Sequence, residues 1–185
     1  MREPGPAAHG FRPRWLTAGG HRQTLLGALR RRKVRWTLPV EDLAVDVARD
    51  TRLLLRASWQ PHAPAGALPA LLIVHGLVGS DRSAYAVATG RHAWERGWHV
   101  VRMNLRGAGE SLRLSASFHH AGQELDLLAA LQAVAARAPR VAVAGFSVGG
   151  SLVLLTLGRR GRELPSGFVG AAAVSPPVDL AAAAL

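Results

Sequence analysis

The chain has 185 residues, 49% of them hydrophobic and 19% charged, which suits one domain with a packed core and excludes a disordered polymer. It has no cysteine, which removes disulfides, thiolate metal sites and cysteine nucleophiles and fits a reducing compartment. The net charge of +11 would suit nucleic acid or an anionic surface, but residues 1–36 hold nine basic residues and one acidic one, leaving +3 for the rest, so no nucleic-acid partner is expected.

Residues 1–36 read as a basic lead-in rich in Gly, Pro and Arg, with no apolar run of the kind a secretory signal needs. A folded domain is expected over 37–185. Leu43 to Val47 alternates apolar and polar residues, as a half-buried strand does, and Leu53 to Trp59 follows a turn at Asp50-Thr51. Residues 61–69, rich in Pro and Ala, form a loop. Ala70 to Val74 is a short continuous apolar run, the mark of a strand buried on both faces. The pattern then predicts a helix over Ser83 to Arg96, a strand over Val100 to Leu105, and a helix over 121–137 with Leu125, Leu128, Leu131 and Val134 on one side. A strand at Val141 to Ala144, a helix at Val148 to Leu157 and a strand at Phe168 to Val174 complete the series. The most apolar stretch, Val141 to Leu157, is too short and too broken by glycine to span a membrane comfortably. Strand and helix alternation implies an α/β fold, a mostly parallel sheet with right-handed crossovers, and the first two strands antiparallel at one edge. A cytoplasmic location is expected.

Chemistry concentrates where strands end. Gly145-Phe146-Ser147-Val148-Gly149 is a Gly-x-Ser-x-Gly motif. A glycine-rich turn could produce the same letters, but here a strand precedes it and a helix follows. In that setting the serine sits on a sharp, strained turn and its neighbours two residues away must lack side chains. Ser147 is the candidate nucleophile. Acyl transfer also needs two backbone donors for the oxyanion. Val148 would supply one, and Leu77, in His75-Gly76-Leu77-Val78-Gly79 after the first buried strand, the other. Asn104 to Ser111 reads as a structural glycine turn in which Arg106 and Ser111 bond loop backbone.

These loops, in this order, resemble the α/β-hydrolases. Phe11-Arg-Pro13-Arg-Trp15-Leu16, Gly20-His21-Arg-Gln23-Thr24, Met103-Asn104-Leu-Arg106-Gly107, Ser117-Phe118-His119 and Ser175-Pro176-Pro177-Val178-Asp179-Leu180 are similar to the AB hydrolase 4 family, the YheT-like esterases. Val148 stands where that family usually has leucine, and Ser151 where asparagine is common. The resemblance runs from Phe11 to Leu180. It implies hydrolysis of carboxylic esters, small-molecule or lipid, through a Ser-Asp-His triad and without a cofactor or metal.

In this fold the acid and the histidine follow the serine along the chain, after later strands. The expectation is therefore a hydrolase domain lacking its last strands, its cap, its acid and its base. Such a sheet would expose an apolar edge and associate with itself. His75, His119, His120, Asp126 and Asp179 are weak substitutes; Asp179 reads as a helix start. The alternative is a noncatalytic module that binds anionic partners, a membrane surface among them, through Arg30 to Lys33, Arg35 and the adjacent Trp36.

Overall fold

The computed structural model describes residues 34–61, 68–120 and 122–183. Within them, β1 (Glu41–Ala48) and β2 (Thr51–Ser58) form a hairpin, followed by β3 (Ala70–Val74), α1 (Ala84–Trp94), β4 (His99–Met103), a 3-10 turn (Gly109–Leu114), α2 (Glu124–Ala135), β5 (Val141–Phe146), α3 (Val148–Arg160), β6 (Phe168–Val174) and the short α4 (Leu180–Ala183). Every strand and long helix expected from the sequence is present. The lead-in motifs at Phe11 and Gly20 and the run Arg30 to Lys33 lie outside the described residues.

The six strands lie in the order β1-β2-β4-β3-β5-β6. β2 pairs antiparallel with both β1 and β4, whereas β4, β3, β5 and β6 run parallel. β3 shows why the central strands read as unbroken apolar runs. Ala70, Leu72 and Val74 enter the main core with Leu127, Leu131, Val134, Leu152 and Val153 of α2 and α3. Leu71 and Ile73, pointing the other way, pack under α1 with Ala86, Val100, Trp36 and Trp94. Side chains alternate across a strand, so a sheet covered on both faces needs apolar residues at every position. β1 has one covered face, and there only Leu43, Val45 and Val47 turn inward.

The stripe expected on the second helix holds at Leu128, Leu131 and Val134, which are buried, and fails at Leu125. Leu125 is 54% exposed, and Leu127 is fully buried in its place, with Ala130, Leu131 and Val134. Leu127, Ala130, Leu131 and Val134 follow the i, i+3, i+4, i+7 spacing of one helical face, whereas a step of three from Leu125 drifts around the helix and leaves Leu125 opposite Val134. Glu124 and Asp126 are buried beside Leu127, held by ion pairs that a hydrophobicity pattern does not register. At the far side, β6 is the edge of the described sheet, with Val169 and Val174 exposed.

Candidate active site

Parallel strands bring their C-terminal ends to one edge of the sheet, where ligands of open α/β sheets bind. Among the described residues, three non-glycine residues have positive φ: Val78 (57°), Ser147 (53°) and Ser175 (48°). Each follows one of the neighbouring strands β3, β5 and β6 at that edge. Backbone in this region is strained and persists only where surrounding structure enforces it.

The enforcement at Ser147 is visible atom by atom. Its N–H donates to the Val174 carbonyl at 2.9 Å, which ties the turn to β6. A Cβ at Gly145 would overlap the Gly149 carbonyl and stand 2.8 Å from Gly150 Cα, and one at Gly149 would stand 2.7 Å from the Val74 oxygen. The two motif glycines are thus steric requirements. Ser147 occupies the N-cap of α3, where a serine ordinarily turns its hydroxyl back onto the first helical N–H groups. Here it makes no such bond. The residue is exposed at the head of α3.

The loop after β3 abuts the serine. A Cβ at Gly76 would lie 3.0 Å from Ser147 Cβ and 3.6 Å from Ser147 Oγ. Gly76 donates its N–H to the Tyr85 hydroxyl at 2.9 Å, and Gly79 closes a turn onto the Gly76 carbonyl at 3.0 Å. Leu77 and Val78 fill the middle of this turn, with Val78 in the conformation that turns of this kind normally assign to glycine. Leu77 therefore lies between two engaged amides. Val148, the first residue of α3, presents one of the helix's first-turn N–H groups, which have no partner within the helix. The structure thus brings Ser147 and Gly76, the neighbour of Leu77, together at the head of α3.

The other titratable residues have different employment. His75 is buried; its Nδ1 donates to the Gly76 carbonyl at 2.7 Å and its Nε2 accepts from the Leu105 N–H at 3.2 Å. That pattern requires the neutral ring, and burial holds its pKa below the ordinary histidine value. His75 clips the β3 loop to the β4 loop. Asp126 receives two bonds of 2.6 Å from Arg106, a bidentate pair that raises the arginine's pKa. Arg106 was expected to bond loop backbone; its guanidinium goes to this carboxylate instead, because a buried Asp126 needs a counter-charge. Ser111 does bond backbone, donating to Asn104 and accepting from Leu54 at 2.7 Å. His119 bonds the Arg106 carbonyl through Nδ1, and Asp179 caps α4 through the Ala182 N–H, as a helix start does. No hydrogen bond joins Ser147 Oγ to a histidine or a carboxylate among the described residues, and none of their His, Asp and Glu residues cluster as a metal site.

Three further residues were not singled out from the sequence. Tyr85 braces the loop at Gly76 and stacks on Phe146 at 4.7 Å. Asp81 and Arg102 form a buried pair between that loop and β4. A lone arginine within the apolar strand His99–Met103 was the available signal. Trp36 packs its ring 4.2 Å from the Arg102 guanidinium and donates its indole N–H to Ser58 at 2.9 Å. It is therefore occupied inside the fold, which removes the aromatic half of the anionic-binding alternative.

Two clefts flank these elements. The smaller, about 320 Å³, is apolar and is lined by Ser151, Leu154, Leu155, Pro177, Val178 and Leu180; it runs alongside α3, one turn from Ser147. The larger, about 470 Å³, is polar and sits at the β1–β2 turn, away from the serine turn in sequence and lining.

A family model described as alpha/beta hydrolase fold matches residues 69–185. The chain belongs to the α/β-hydrolase family. Its YheT-like resemblance is carried by the Escherichia coli (strain K12) protein named "Putative esterase YheT", 36% identical over 157 residues, or 78% of this chain and 42% of that one. An embryogenesis-associated protein of Picea glauca is 28% identical over 66% of this chain and 26% of its own length. The chain thus spans less than half the length of these curated relatives. Solved structures share the fold. A serine hydrolase without lid from Xanthomonas campestris matches with a TM-score of 0.58 at 24% identity, covering 80% of this chain and 65% of that one. Est1E from Butyrivibrio proteoclasticus, solved with ferulic acid, matches at 0.62 and 21%, covering 72% and 52%. No helix of this α/β-hydrolase among the described residues is long and apolar enough to cross a membrane.

Proposed function

We propose that this α/β-hydrolase chain carries the nucleophile of a carboxylic-ester hydrolase, with Ser147 as the attacking residue. The observation that carries the reading is Ser147 itself: a non-glycine residue at φ 53°, exposed at the head of α3, its hydroxyl not spent on capping. Ser147 Oγ attacks the ester carbonyl carbon as its proton passes to a general base, and the carbonyl oxygen becomes an oxyanion. Main-chain N–H groups of Leu77 and Val148 receive that charge, aided by the positive end of α3. Collapse breaks the ester C–O bond, the alcohol leaves with a proton, and water hydrolyses the acyl-serine. In this fold the acid and base follow the serine along the chain, after strands that succeed β6.

The proposed substrates are small-molecule or lipid esters with short acyl chains, met in the cytoplasm or at a membrane surface. The apolar cleft beside α3 supports an apolar substituent. The name of the Escherichia coli relative supports the ester class.

A fluorophosphonate probe is expected to label wild type at Ser147 and to leave Ser147→Ala unlabelled. The same variant should lose short-chain ester turnover by about 10⁴-fold or more. Equal labelling of wild type and variant would remove Ser147 from the mechanism.

A further inference from the structure

The buried charge of β4 faces away from the main core. Arg102 is 2% exposed and lies on the α1 side of the sheet, under the Trp36 ring. Its Nη1 donates to the backbone carbonyl of Asp81 at 2.9 Å, with the Asp81 carboxylate at 3.8 Å. Asp81 is itself buried, and its N–H donates to Asn104 Oδ1 at 2.9 Å. Arg102 and Asn104 therefore grip both backbone groups of one residue. That residue closes the loop whose other end is held at Gly76 by Tyr85 and His75. Between the two anchors stands Val78, 93% exposed and strained, with no packing of its own to hold it there. A strained turn needs enforcement from outside, and a buried ion pair is seldom the most stable filling for its volume. Stability alone is thus a poor reason for an arginine at this position.

We infer that Arg102 is a positioning residue for the Ser147 site, anchoring through Asp81 the loop that presents Leu77, with Trp36 from the segment ahead of β1 as its cover. The inference rests on the reading of Ser147 as nucleophile, and it joins that segment to the site. Trp36 seals the guanidinium from water on one side while Ser58 fixes the indole, so the Arg102–Asp81 contact operates in a dry environment, where it is strongest.

The test compares Arg102→Met, Arg102→Lys and Trp36→Leu in the full chain by two independent readouts. The first is amide hydrogen exchange of residues 76–81 against that of β3 and β5. Arg102→Met should speed exchange of the loop by about tenfold while the strands keep their protection. Trp36→Leu should do so to a lesser degree, and Arg102→Lys should recover part of the loss. The second readout is Ser147 labelling by the fluorophosphonate. Its limiting rate should fall about tenfold in Arg102→Met, with the half-saturating probe concentration unchanged, because the donor is misplaced rather than the binding surface lost. Loop exchange equal to wild type in folded variants overturns the proposal. Should Arg102→Met fail to fold, Trp36→Leu decides by the same criterion. An unlabelled wild type would defeat the Ser147 reading, and the exchange comparison would still judge the anchor.

Discussion

The loops after β3 and β4 leave the same edge of the sheet from neighbouring strands and are built on opposite principles. The β4 loop assigns its positive φ values to Gly107 (64°) and Gly109 (50°), residues that adopt them without strain. It is then stapled by the Arg106–Asp126 pair and by Ser111. The β3 loop assigns the same region to Val78, a β-branched residue with no packing, and is held by the buried groups His75, Arg102 and Asn104. The β5 turn repeats that choice at Ser147. Glycine at a positive φ marks a loop built to be stable. A side chain there marks a loop held in place for another purpose.

The strongest way to break this contrast is to make the β5 turn impossible. Gly145→Ala would drive a methyl group into the Gly149 carbonyl. It is expected to destabilise the fold by about 3 kcal/mol and to end Ser147 labelling, measured by denaturant unfolding and probe incorporation. A weaker perturbation sharpens it. Val78→Gly removes the strain and loses no buried contact, so it should raise stability by about 1 kcal/mol while slowing Ser147 labelling. Unchanged stability in that variant would show that the β3 loop is not under strain at Val78.

The smallest effect is a pH slope. Burial lowers the pKa of folded His75 below the ordinary histidine value of about 6.5, so the unfolded chain takes up the proton first. Its contribution to stability is complete above pH 6.5 and is lost as pH falls through the folded pKa. Burial lowers His99 in the same direction. His75→Gln should therefore flatten part of the acid-side decline in melting temperature, and His99→Gln another part; identical slopes in wild type and His75→Gln would exclude a buried, neutral His75.

Much of this was legible in the sequence, for reasons that are local. The β3 run Ala70 to Val74 and the β5 turn at Ser147 announce themselves through unbroken apolar residues and two glycines at fixed spacing. What escaped depends on residues distant in sequence. The burial of Glu124 and Asp126 on α2 rests on arginines from other elements, which no local pattern announces. Arg102 looked like one polar residue in an apolar strand, since its partners Asp81 and Trp36 lie 21 and 66 positions away. Val78 carries no sequence mark at all, because strain is a property of what surrounds a residue. The charged run ending at Trp36 suggested a surface, whereas its aromatic ring is folded in as a lid over a cation.

The bond from the Ser147 amide to the Val174 carbonyl carries a consequence for the order of assembly. During synthesis the serine emerges about 27 residues before its partner on β6, an interval of a few seconds at ~10 residues per second. The hairpin of β1 and β2 can close at once, since its paired residues are near in sequence. The bend at Ser147 cannot be locked until β6 has docked on β5. The ribosome thus releases a sheet whose hairpin is laid down first and whose strained serine turn is fixed last.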